Sequence, residues 1–217
     1  MRPFHLTLGL GLFFALALVS SSGFAQAPPA HEHGAAQLYI VIDQKDVELS
    51  LDGPLINFIP FERAPNSPQE TEEVKKMGQI LNEAAEIFVL TPAAGCQAKG
   101  VRLTSEVLDA SLLPPPRWPA DHANDPGQED DDDDHADHEA DADHDHADHD
   151  HADHDHGEHG DLLADYIFEC QKPAALKDIE VRLFAKFPSL TRIDAEVVGE
   201  SGQKALTLDA KNALVKW

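Results

Sequence analysis

Residues 47–51 read Val-Glu-Leu-Ser-Leu, with Val47, Leu49 and Leu51 alternating against Glu48 and Ser50, the period-two pattern of a strand with one face in water. Just upstream, residues 37–43 are rich in Leu, Tyr, Ile and Val, and only Gln44 and Lys45 separate the two runs. Together they predict two strands joined by a tight turn, the second closed by Gly53 and Pro54. Residues 55–61 are apolar around Asn57 with Pro60 near the end, which suits a short segment packed on the core better than a central strand.

The period then changes. Ser67, Pro68, Gln69 and Glu70 form a helix start, with Ser67 as cap, Pro68 in the first turn and Glu70 completing a capping box. Val74, Met77, Ile80, Leu81, Ala84, Ala85, Ile87 and Phe88 follow as one apolar stripe, which predicts a helix to about Phe88, before Pro92. Residues 96–108 read as a strand, and Pro114, Pro115, Pro116, Trp118 and Pro119 stop the pattern. It resumes at residues 162–170, continues as an alternating run over 179–187, and ends in a hairpin of residues 193–198 and 204–208 around Gly199 and Gly202. The expected fold is α+β: a mostly antiparallel β-sheet with one long helix, interrupted by a long loop.

That loop changes the picture. The 217 residues carry 16 Lys and Arg against 40 Asp and Glu, a formal net charge of −24. Nineteen of the acids, and no Lys or Arg, fall within residues 121–161, so the rest of the chain is close to neutral at −5. This balance excludes a nucleic-acid grip and a basic membrane patch as the main business of the chain. Within that stretch, residues 135–159 hold His135, His138, His144, His146, His149, His151, His154, His156 and His159, nine of the 13 histidines. Residues 142–146, 147–151 and 152–156 are three consecutive copies of Ala-Asp-His-Asp-His. A five-residue period does not match a helix, and with nothing large and apolar to bury the segment is expected to be disordered when empty.

In an extended chain, His-x-His places two imidazoles on one side of the backbone, where both reach one metal ion. Imidazole suits Zn²⁺ first, with Cu²⁺ and Ni²⁺ fitting the same donors, and the interleaved aspartates can ligate, orient an imidazole or neutralise the ion's charge. Tetrahedral zinc uses about four ligands, so the insertion offers roughly two or three sites. The competing readings are a solvated acidic linker and a calcium loop. An EF-hand begun at Asp141 would need Gly at position 146 and Glu at position 152, which are His146 and Ala152. A second His-x-His, His31 and His33, precedes the first strand and supplies two more candidate ligands.

The chain opens with Arg2, an apolar stretch of 14 residues over 6–19 and a small-residue run to Ala25, which predicts a signal peptide over residues 1–25 and export to the periplasm, with no membrane anchor in the mature chain. In an oxidising compartment Cys96 and Cys170, the two cysteines, are expected to pair and so to join the feet of the insertion. The domain division is therefore residues 26–113 with 162–217 as one α+β domain, and 114–161 as a metal-binding insertion. His-Glu-x-x-His, His-x-x-Glu-His, Gly-x-Ser-x-Gly and phosphate-binding glycine loops are all absent from the sequence, so a binding protein is expected rather than an enzyme. The alternative class is a protein-interaction domain whose loop senses zinc or pH.

His31-x-His33-Gly34 leading into a strand, Gly53-Pro54, Asn57, Phe61-Glu62, Ala64-Pro65, Cys96, the His/Asp insertion, Tyr166 to Cys170, and Phe184 with Phe187-Pro188 stand in an order that resembles the ZrgA family of periplasmic zinc-associated proteins. The resemblance spans nearly the whole mature chain. It implies a role in zinc acquisition or handling, with transport by separate membrane partners: a zinc transporter or its binding protein. It also makes Glu62 a candidate ligand beside His31 and His33. The family pattern tends to have His directly after the Phe-Glu pair, where this chain has Arg63, so a metal site there would lack one imidazole.

Overall fold

A computed structural model describes residues 32–122, 160–200 and 202–217. The expected signal peptide, His31 and the nine insertion histidines lie outside the described residues.

The alternating run forms, with its neighbour, the centre of a six-stranded sheet. Strands β1 (Ala35–Asp43) and β2 (Asp46–Pro54) pair antiparallel across a turn in which Gln44 takes φ +50°. Strand β2 runs through Gly53 rather than stopping there. A Cβ at Gly53 would stand 3.0 Å from that of Ala36, so glycine lets the two strands close. With β4 (Cys96–Thr104), β5 (Asp161–Cys170), β7 (Arg192–Gly199) and β8 (Gly202–Leu208) the sheet has the order β4-β5-β2-β1-β7-β8. All neighbours are antiparallel except β1 and β7, which are parallel.

The inner face of this sheet carries Leu38, Ile40, Leu49, Leu51, Leu162, Tyr166, Phe168, Ile193 and Val197, all at most 2 % exposed. They join one core with Val74, Met77 and Leu81 from the helix α1 (Pro68–Asn82). Ser67 caps α1 as expected, its Oγ accepting from the Glu70 amide at 3.2 Å. The helix ends at Asn82, earlier than the apolar stripe implies. Glu83 leaves helical geometry at ψ 62°, a single turn α2 (Ala84–Ile87) follows, and Phe88 opens strand β3 (Phe88–Leu90). Tertiary packing overrides the stripe, since the Phe88 ring is needed edge-on against Tyr166, 5.0 Å between centroids.

Strand β3 belongs to a second, three-stranded sheet, β3-β6-β9, that the periodicity does not predict. Strand β6 (Asp178–Val181) supplies only the first part of the alternating run. At Leu183 the chain turns into α3 (Leu183–Lys186), because Leu183, Phe184 and Phe187 all enter the core from one helical turn. Strand β9 (Leu214–Lys216) is too short to read from a pattern. Strand β4 ends at Thr104, short of the expected residue 108. Leu108 and Leu113 are nonetheless buried in the irregular segment beyond it.

Cys96 and Cys170 form the expected disulfide, across a direct β4–β5 pair. It does not join the feet of the insertion. Because β4 and β5 run antiparallel, the bridge lies at the opposite end of β5 from Gly160, where the chain re-enters after the insertion.

Candidate functional site

His33 is presented by a four-residue turn, residues 32–35, closed by the Ala35 amide donating to the Glu32 carbonyl at 3.0 Å. Gly34 occupies the third position with φ +86°, the left-handed backbone that a type II turn requires there. The turn is pinned from three directions. Asn57, 1 % exposed, accepts from the Gly34 amide at 2.6 Å and donates to the Ala35 carbonyl at 2.7 Å. The amides of Thr191 and Arg192 both donate to the Gly34 carbonyl, at 2.8 and 2.9 Å. The Arg192 guanidinium grips the Glu32 carboxylate through two bonds, 2.7 and 3.2 Å. The Asn57 position picked out by the sequence is thus a prop of the His33 turn.

Glu62 faces that turn. Its Oε1 lies 3.1 Å from His33 Nε2, with the imidazole mostly exposed and the carboxylate side chain only 12 % exposed. The backbone of Glu62 is fixed where the chain re-enters the fold after the insertion: the Gly160 amide donates to the Glu62 carbonyl and the Gly160 carbonyl accepts from Leu55, both at 2.9 Å. A Cβ at Gly160 would meet Val107 Cγ2 at 2.2 Å and the Glu62 carbonyl at 2.8 Å, so only glycine passes this point. His159 is the residue immediately before it in the sequence.

Arg63, where the family pattern has His, is committed elsewhere. Its two terminal nitrogens hold the two oxygens of Glu70 at 2.9 Å each, and its guanidinium lies 5.3 Å from the Phe61 ring centroid. That grip, with a second bond from the Asn66 amide at 2.7 Å, pulls the Glu70 carboxyl down to about 2. Glu70 therefore serves Arg63 and Asn66, and not the reciprocal bond to the cap residue that a capping box expects.

The other foot of the insertion lies on the outer face of the large sheet. Beyond the proline run, Arg117 exchanges two backbone hydrogen bonds with Val101, 2.7 and 2.9 Å, and the Trp118 ring sits 4.4 Å from the Arg102 guanidinium, which also binds Asp165 at 3.0 Å. Trp118 Nε1 donates to the His122 carbonyl at 3.2 Å, and His122 Nδ1 lies 3.2 Å from Glu48 Oε1. His122 is a contact that the sequence pattern missed, since it stands outside the repeats and has no His-x-His partner. Glu48 pairs with Ile167, seven residues along β5 from Gly160, so the two feet are roughly 20 Å apart along the strand.

Of the eleven histidines expected to bind metal, His33 is within the described residues, beside Glu62. Among the described residues no group of three or more His, Cys, Asp or Glu side chains is gathered as a metal cluster, and no helix is long and apolar enough to cross a membrane.

The class this defines is a disulfide-bonded α+β domain that carries a His/Asp-rich insertion between two fixed feet. The family model described as ZrgA family zinc uptake protein matches residues 30–217, and the chain belongs to that family. Its role is accordingly related to zinc uptake. No curated protein matches the chain.

Proposed function

We propose that this is a periplasmic zinc-binding protein, delivered by a cleaved signal peptide over residues 1–25, which captures zinc on its His/Asp-rich insertion. It buffers the metal or passes it to a membrane zinc transporter or that transporter's binding protein, and catalyses no reaction of its own. The observation that carries this reading is the triple Ala-Asp-His-Asp-His repeat within a stretch of nine histidines and no Lys or Arg. The family's link to zinc uptake and the disulfide support it. The ligands are His135, His138, His144, His146, His149, His151, His154, His156 and His159, with the neighbouring aspartates, and His31 and His33 add a second ligand group. Coordination requires neutral imidazole, so capture weakens as pH falls through about 6.5.

The roughly 20 Å between the feet shapes the test, because a direct joining of residue 122 to 160 would tear β5 or the Trp118 segment from the sheet. The nine insertion histidines are instead replaced by Ser in the full-length mature chain. Calorimetric zinc titration at pH 7.5 is expected to lose roughly two or three ions per chain in that variant. Titration of the unaltered chain at pH 5.5 is expected to show the same sites much weakened. Equal stoichiometry for the two chains at pH 7.5 would overturn the proposal.

A further inference from the structure

We propose that the outer face of the large sheet over β2, β1 and β7 is a docking surface for a protein partner that presents an apolar patch rimmed by Lys and Arg. The inference holds whether or not the insertion is where zinc is captured.

The two halves of that face differ. Over β4 and β5 the chain covers itself: Trp118 and Pro119 lie against Gly100, where a Cβ would meet them at 3.2 and 3.1 Å, and Ile167, the β5 partner of Gly100, is 1 % exposed. Among the described residues this cover ends where His122 reaches Glu48 on β2. Beyond it, Val41 and Val198 stand side by side on β1 and β7 at 44 and 43 % exposed, and Tyr39, two residues along β1, is 48 % exposed. Single exposed apolar side chains are ordinary, but three adjacent on one sheet face form a patch, and patches of this kind mark contact surfaces.

Charge names the occupant. Outward positions around the patch are Asp43, Asp46 and Glu48 on one side and Asp194 and Glu196 on the other. The nearby cations are already bound, Lys45 by Asp46 and Glu169, and Arg192 by Glu32 and Asp194. Glu196 accepts from the amide of Gln203, a neutral donor that leaves its charge in place. The surface is therefore an apolar centre in an acidic rim. A second copy meeting it face to face would set acid against acid, and the insertion, at −19, carries the same sign. Nucleic acid and anionic lipid are repelled as well. A partner with an apolar patch ringed by Lys and Arg gains twice: it takes Tyr39, Val41 and Val198 out of water, and its cations meet Glu48 and Glu196, which speeds encounter and fixes orientation. Tyr39 suits the centre of such a contact, since its ring buries a large apolar area while its hydroxyl can still bond.

The test places photo-reactive benzoylphenylalanine at position 41 or 198 of the full-length chain in cells of the source organism, with exposed Lys76 on α1 as the control position. One protein is expected to be joined from positions 41 and 198 and not from 76. That protein, identified by mass spectrometry, purified and titrated by calorimetry against the mature chain, is expected to bind less tightly as NaCl rises. Val41→Lys together with Val198→Lys is expected to weaken the binding tenfold or more. Glu196→Lys leaves the apolar centre intact and is expected to weaken it by a similar factor, so the outcome does not depend on one variant's folding, which Tm checks. No protein joined above the control, a chain joined to a second copy of itself or to its own insertion, or a captured protein whose binding is unmoved by salt or by these substitutions overturns the proposal.

Discussion

Asn57 and Tyr166 are both fully buried polar residues with opposite accounts. The amide of Asn57 spans Gly34 and Ala35 with two short bonds. Asn57→Leu would remove the partner of the half-buried Gly34 N–H and of the buried Ala35 C=O, at about 1 to 3 kcal/mol for a fully buried group. We expect a loss of about 2 to 4 kcal/mol in urea unfolding, together with looser presentation of His33. Among the described residues the Tyr166 hydroxyl has no hydrogen-bond partner, and burial pushes its phenol well above its usual value. Tyr166→Phe is therefore expected to be neutral or stabilising by about 1 kcal/mol, and a clear loss of stability in the same measurement would show that the hydroxyl is bonded. Glu70 makes the pH case. Its carboxyl titrates at about 2 in the folded protein because the Arg63 guanidinium and the Asn66 amide hold the anion, against about 4.3 when unfolded. The group is depressed, so its stabilisation is complete above about 4.3 and disappears as pH falls through about 2. Glu70→Gln is expected to flatten the stability profile in that acid window, and an unchanged slope there would contradict the assignment. The sequence pointed to Asn57, Glu62 and Gly34 through a resemblance in their order. It could not show that Asn57 props the turn on which His33 sits, because that contact joins residues 23 and 22 positions apart through their fold and not through any local period.

The elements that alternate cleanly were legible, and those that depend on a partner were not. Strands β2 and β7 follow their period because each has one wet and one dry face. The break after Asn82 and the turn at Leu183 were invisible for a shared reason: apolar residues satisfy a helix or strand template equally until the core decides which atoms they must reach. The disulfide was inferred correctly from compartment and count, but its place relative to the insertion needed the antiparallel β4–β5 register. That place has a consequence. Changing both Cys96 and Cys170 to Ser is expected to cost on the order of 4 kcal/mol, read as a lower Tm, by releasing a loop of 74 residues. Zinc stoichiometry is expected to stay the same, since the feet at Trp118 and Gly160 are held by their own contacts. A double variant that keeps its Tm but loses zinc would contradict this division of labour.

At the scale of the molecule, charge is distributed as the chemistry is. A domain near neutrality bears an insertion of −19, and under the proposal two or three bound zinc ions would cancel at most about a third of that charge. The link to zinc uptake was legible as a resemblance in the order of motifs, and the family match bears it out; capture on the His/Asp repeats is the proposal made above. What needed the fold was the convergence at one corner of the His33 turn, Glu62 and the point where the chain re-enters after the insertion. The most direct test of the central claim is native mass spectrometry of the mature chain equilibrated with zinc, beside the chain in which the nine insertion histidines are Ser. The account predicts a difference of roughly two or three zinc ions per chain. Equal numbers of bound zinc in the two spectra would contradict it.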